Sequence, residues 1–105
     1  MSYYPTLISA SVNMDQGDIA SYNYILVDAT SDDVTILLPS DLYDGLAFQF
    51  VRIDDSANNV VVAAQNSKTI NSGVSIDLGP AQLTIAVALG ANWFAPVHTS
   101  DVALS

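Results

Sequence analysis

Gln82-Leu83-Thr84-Ile85-Ala86-Val87-Ala88-Leu89 is the stretch from which the fold is read. Leu83, Ile85, Val87 and Leu89 fall at every second position, with Thr84, Ala86 and Ala88 between them. A period of two marks a β-strand whose faces meet different surroundings. The larger side chains are expected to face inward, so Leu83, Ile85 and Val87 join Phe48, Phe50 and Trp93 as the expected core. Gly90-Ala91-Asn92 then reads as a short hairpin turn into a strand over residues 93–97.

Outward from this strand, apolar runs of similar length recur between Asp, Asn, Ser, Gly and Pro. They predict strands over residues 7–12, 22–28, 34–38, 47–53, 59–64 and 74–78. Asp54-Asp55-Ser56-Ala57-Asn58 has the chemistry of Asx turns, Asn71-Ser72-Gly73 tolerates positive φ, and Gly79-Pro80 interrupts pairing. Only residues 41–44 offer a helical turn. The expected architecture is all-β: a compact antiparallel β-sandwich or barrel-like domain over residues 21–105, preceded by an N-terminal arm or first strand over residues 1–20. No internal repeat is visible. Val74, Ile76 and Leu78 also alternate, whereas residues 59–64 are apolar on both sides, which predicts burial between the core and a second protein surface.

The 105 residues suit one domain. Half are apolar and 12% are charged, against about a quarter charged in ordinary soluble domains, so part of the uncharged surface is expected to meet protein. All eleven acidic residues are Asp, spread between the apolar runs as turn formers. Arg52 and Lys68 are the only cations and the net charge is −9. That balance argues against nucleic acid, whose affinity comes from neutralising phosphates, and against anionic membranes. There is no cysteine. No apolar run approaches the roughly 20 residues of a membrane span, and the start lacks the basic and apolar regions of a cleaved signal.

A search for chemistry returns no catalytic, cofactor or metal site. His98 lies beside Ser100 and Asp101, but members of a nucleophilic triad converge from separate segments, and these three share a tail. Asp32-Asp33 and Asp54-Asp55 offer calcium-type oxygens outside any Asp-x-Asp-x-Asp-Gly loop. Phosphate-binding glycine loops are absent. The chain is therefore expected not to be an enzyme. Tyr3, Tyr4, Pro5, Leu7 and Ile8 are the expected oligomer or capsid contact, with Tyr43 a further interface tyrosine.

The order of several motifs carries a resemblance. Val27-Asp28-Ala29-Thr30, Leu38-Pro39, Ser56-Ala57-Asn58-Asn59-Val60, Thr69-Ile70-Asn71 and Gly90-Ala91-Asn92-Trp93-Phe94 resemble, in that order, a module that recurs in virion proteins of tailed bacteriophages, in tail fibres and in head-decorating proteins. The resemblance covers about residues 22–96. It departs from the pattern at Asp32-Asp33, where glycine is common, and at Phe94, where tyrosine is usual. It implies a β-rich module that assembles as a homotrimer and brings no catalytic residues. A short arm plus one module suits a decoration, or cement, protein bound to the major capsid protein on the outer capsid surface. The alternative is a tail-fibre or receptor-binding module for a host-surface glycan, which calls for an exposed aromatic pair beside Asn or Asp in a concave site.

Overall fold

The β-favouring runs form eleven strands among the residues that the computed structural model describes, 6–16 and 22–99. They are β1 (Thr6–Ile8), β2 (Val12–Asn13), β3 (Tyr24–Val27), β4 (Val34–Leu37), β5 (Ala47–Arg52), β6 (Val60–Ala63), β7 (Thr69–Ile70), β8 (Ser75–Leu78), β9 (Gln82–Leu89), β10 (Asn92–Phe94) and β11 (Val97–Thr99). The fold is all-β, and no helix occurs among the described residues. Residues 41–44 make a bend and the start of a turn instead of a helical turn. One sheet runs β1-β3-β5-β9-β10-β7 with β11 also on β9, and the other runs β2-β4-β6-β8.

The pairing is not uniformly antiparallel. β1-β3, β3-β5, β2-β4, β4-β6 and β7-β10 are parallel, while β5-β9, β6-β8, β9-β10 and β9-β11 are antiparallel. The cause lies in the connections. The turns after β1, β3 and β5 carry the chain to the opposite sheet, so each strand pairs with the next strand but one, which returns in the same direction. The first six strands are thus three coils of a short solenoid, and the segment expected to be an arm or first strand supplies its first coil through β1 and β2. Ile25 lies beside Phe50 and Ile36 beside Val62, a spacing of about 25 residues in which burial repeats although residue identity does not.

One core fills the space between the sheets, drawn from Ile25, Val27, Phe48, Phe50 and Trp93 on one side and Val34, Ile36, Val60, Val62 and Leu78 on the other. The strand over residues 82–89 is correctly alternating, but its expected faces are exchanged. Thr84, Ala86 and Ala88 are buried, whereas Ile85 and Val87 are exposed and Leu83 is half-buried. Register explains the exchange: Thr84 lies opposite Phe50, Ala86 opposite Phe48 and Ala88 opposite Trp93. Three large aromatic side chains enter from the flanking strands, and only small inward residues on β9 leave them room at native packing density. Phe48 stands between the other two, with ring centroids 6.4 Å from Phe50 and 6.0 Å from Trp93.

Positive φ falls at Asn71 (50°) and Ser72 (64°) rather than at Gly73, closing a tight turn through two backbone hydrogen bonds between Ile70 and Gly73. Gly90, at φ 63°, takes the first position of the two-residue β9-β10 hairpin, where glycine avoids the left-handed penalty. Trp93→Ala is expected to lower unfolding stability by about 3–5 kcal/mol in urea titrations. Because the buried Trp93 Nε1 has no hydrogen-bond partner among the described residues, Trp93→Phe removes packing without orphaning an acceptor there and should cost distinctly less.

Candidate interaction face

Inward positions stack across the coils, and Ile8, Val27 and Arg52 form one such row. An arginine at a core position, 2% exposed, is tolerable only when its charge is paired and each of its nitrogens finds an acceptor. Arg52 Nε and Nη2 donate to the two carboxylate oxygens of Asp54 at 3.1 and 3.0 Å. Nη1 donates to the Leu78 carbonyl at 2.8 Å, and Nη2 also to the carbonyls of Ser56 and Asn58 at 3.0 and 2.6 Å. Asp54 further accepts the N–H groups of Ala29 (2.9 Å) and Ser56 (3.2 Å) and the Ser56 hydroxyl (2.6 Å). The Asn58 amide crosses to the Ala29 and Thr30 carbonyls at 2.7 and 3.3 Å. The turn of the second coil is thereby fastened to that of the third, and Arg52 reaches the capping strand β8.

Burial works to raise the Asp54 pKa, but the hydrogen bonds from Arg52, the Ala29 N–H and Ser56 outweigh it and hold the carboxyl well below the usual carboxylate range. Its oxygens are committed to these donors, which removes the Asp54-Asp55 pair as a ready calcium site. Among the described residues no three Asp, Glu, His or Cys side chains gather as metal ligands. The motif residues Asp28-Ala29-Thr30 and Ser56-Ala57-Asn58 prove to be neighbours in this cluster. Thr69, Asn71 and Asn92 likewise meet: the Asn71 side chain bonds both backbone groups of Ala95, and Asn92 Oδ1 accepts from the Thr69 hydroxyl and from Ser72 N–H. These motifs maintain architecture.

The outward apolar side chains are concentrated on the outer face of the larger sheet. Three rows cross it in register: Leu7-Leu26-Val51-Leu83-His98, Tyr24-Gln49-Ile85, and Ala47-Val87-Phe94. No Asp, Lys or Arg occupies these positions; Asp28 stands at the rim, beyond the end of β3. Ile85 is 44% exposed, Phe94 48% and Leu7 58%. With strands about 4.8 Å apart and side chains on one face repeating every ~6.6 Å, the rows cover roughly 350 Å². Patches of this size on a monomer are commonly functional.

Of the five residues expected to make the contact, two lie within the described part of the chain. Leu7 lies on this face, but Ile8 points into the chain's own core, because successive strand residues alternate sides. Tyr3, Tyr4 and Pro5 lie outside the described residues, as do Ser100 and Asp101. Tyr43 is exposed, and His98 sits on the face opposite Leu83. The doubly apolar strand β6 buries Val60 and Val62 and half-buries Val61 and Ala63 in a sheet that also presents Thr35, Ser75 and Asp77. The outward apolar surface therefore belongs to the other sheet, and Leu83, Ile85 and Val87, expected in the core, contribute to it. The alternation on residues 82–89 contained the signal, but its polarity depends on the neighbouring aromatics.

No protein-family model matches this chain, and a search of curated proteins finds no match.

The Arg52–Asp54 cluster has a pH signature. The Asp54 carboxyl binds its proton more weakly folded than unfolded, where the pKa is about 3.9. Its stabilising contribution is complete above about pH 4 and is lost as pH falls toward the folded pKa. Asp54→Asn, which leaves Arg52 buried without its counter-ion, should cost about 3–5 kcal/mol at neutral pH. Denaturant titrations from pH 7 downward should also show a shallower loss below pH 4 for the variant than for the parent.

Proposed function

We propose that this chain is a structural protein of a bacteriophage particle: a decoration, or cement, protein that assembles as a homotrimer on the outer capsid surface and holds copies of the major capsid protein together. The observation that carries the proposal is the charge-free apolar face of the larger sheet on a chain of net charge −9. The acidic turns of neighbouring copies repel, and the neutral face is where another surface approaches without that penalty. Once they are joined, the acidic turns remain toward solvent, which keeps a densely coated particle soluble.

The parallel coils suit this role because their turns are fastened by buried hydrogen bonds, so the face stays rigid and little ordering entropy is lost on assembly. The motif order in residues 22–96 supports the bacteriophage setting as a resemblance. In this reading the chain catalyses no reaction and holds no cofactor. Many weak contacts on a capsid lattice add through effective concentration, so each interface need not be large.

Ile85→Asp, which puts a carboxylate in the middle of the face, should weaken binding to undecorated capsids at least about tenfold. Val74→Asp, at a site 78% exposed in the turn before β8, should change it less than about twofold. Pelleting the variants with purified capsids measures both. Equal binding by Ile85→Asp contradicts the proposed face. Saturable binding to host-surface glycans by a protein that ignores capsids favours the receptor-binding alternative.

A further inference from the structure

The chain carries one dipeptide twice, Asn66-Ser67 before β7 and Asn71-Ser72 after it. Both are the central pair of a two-residue turn with left-handed backbone: φ is 55° and 67° in the first, 50° and 64° in the second. Their surroundings differ. The second turn is closed by two bonds, Gly73 N–H to the Ile70 carbonyl at 2.8 Å and Ile70 N–H to the Gly73 carbonyl at 3.0 Å. The Asn71 side chain is held by both backbone groups of Ala95, at 3.0 and 2.8 Å, and Ser72 N–H donates to Asn92 Oδ1 at 3.1 Å. The first turn is closed by one longer bond, Lys68 N–H to the Gln65 carbonyl at 3.2 Å. Asn66 and Ser67 are exposed, and neither the Asn66 side chain nor Ser67 N–H has a hydrogen-bond partner among the described residues.

That difference bears on the chemistry by which asparagine decays. In an Asn-Ser dipeptide the serine backbone nitrogen, once a base has taken its proton, attacks the asparagine Cγ. The N–Cγ bond forms, the Cγ–Nδ2 bond breaks and ammonia leaves, which gives a five-membered succinimide. Water then opens the ring at either carbonyl, to aspartate or to β-linked isoaspartate. Ring closure needs a side chain free to turn and a following N–H that nothing else holds, and Asn66 meets both conditions. At Asn13 and Asn58 the following N–H is bonded, to the Leu37 carbonyl and to Asp33 respectively. Asn59 is exposed but precedes the β-branched Val60, which is paired with Leu78 in the β6-β8 ladder. The Asp-Gly pair at Asp44-Gly45, open to the same ring closure with loss of water, is held as well: Gly45 N–H donates to the Ala88 carbonyl and the Asp44 carboxylate accepts Gly90 N–H. The first turn also opens readily. Left-handed φ is disfavoured at Ser67, and the strand that follows, β7, has two residues and lies at the end of its sheet on β10.

We infer that Asn66 is a modification site at which the folded chain deamidates spontaneously, while the identical dipeptide at Asn71 is protected. The product places a new carboxylate two residues from Lys68 and adds one negative charge to the −9 of the chain. Asn66 lies outside the three rows of the apolar face, so that face stays uncharged as the protein ages. The inference is independent of what the face binds.

Peptide mapping by mass spectrometry tests it on purified full-length protein held in mildly alkaline buffer at physiological temperature. Aspartate and isoaspartate forms should accumulate at Asn66 at least about tenfold faster than at Asn71, whose side chain and following N–H must first be released. In concentrated guanidinium chloride, where only local sequence acts, the two rates should agree within about threefold. Isoelectric focusing of the aged parent should show a more acidic band that Asn66→Gln, whose longer side chain closes the ring far less readily, largely lacks. Equal rates at Asn66 and Asn71 in the folded protein overturn the inference. So does an Asn66 that reacts only in denaturant, or an undiminished acidic band from Asn66→Gln.

Discussion

The buried guanidinium of Arg52 is the constraint on which the rest of this structure depends. It occupies a position that the stacking of Ile8 and Val27 marks as core, and its charge is tolerable there only because Asp54 and three backbone carbonyls receive it. Those acceptors come from the turn after β5 and from β8, while Asp54 and Asn58 reach back to the turn after β3. A single side chain therefore fixes the spacing of two coils and the seat of the strand that caps them. A cluster of this kind adds little net stability relative to a well-packed apolar one. What it supplies is register, because half of it cannot be made without leaving a buried charge.

From register follows the shape of the outer face. Once β3 and β5 are aligned, Phe48 and Phe50 point inward beside β9, and that strand must offer Thr84, Ala86 and Ala88 to them. Its large residues are then turned outward, with Leu26, Val51 and Phe94 in the neighbouring strands. The apolar face is thus a consequence of a core built on aromatics. In a chain whose acids are all Asp, the described ones lie in turns and loops or, for Asp77, on the smaller sheet, and none falls in the three rows of that face.

Much of this was legible in the sequence. The all-β class, the alternation over residues 82–89, the turns at Asn71-Ser72 and Gly90-Ala91, and the burial of Phe48, Phe50 and Trp93 follow from local chemistry. Direction of pairing did not, because parallel coils and antiparallel hairpins use the same short strands and the same Asp-rich turns. The coil period was hidden because stacked positions need only equal burial: Val27 stacks on Arg52, and Val34 lies beside Val60. Which face of β9 points inward was equally hidden, since alternation fixes two faces but not their sense, and two of the three deciding aromatics, Phe48 and Phe50, lie more than 30 positions away in β5. Arg52, noticed in the sequence only as one of two cations, organises the turns through partners brought near by folding.

The account stands most directly on whether the outer face of the larger sheet is covered by other copies of the chain. The solution mass of the unmodified protein, followed by light scattering through a concentration series at physiological salt, addresses this without mutation. A mass of three times the 11.1 kDa chain, maintained on dilution to micromolar concentration and reduced toward the single chain only below it, is the result that the account predicts. A mass of one chain throughout, at concentrations up to those reached on a particle surface, would contradict it.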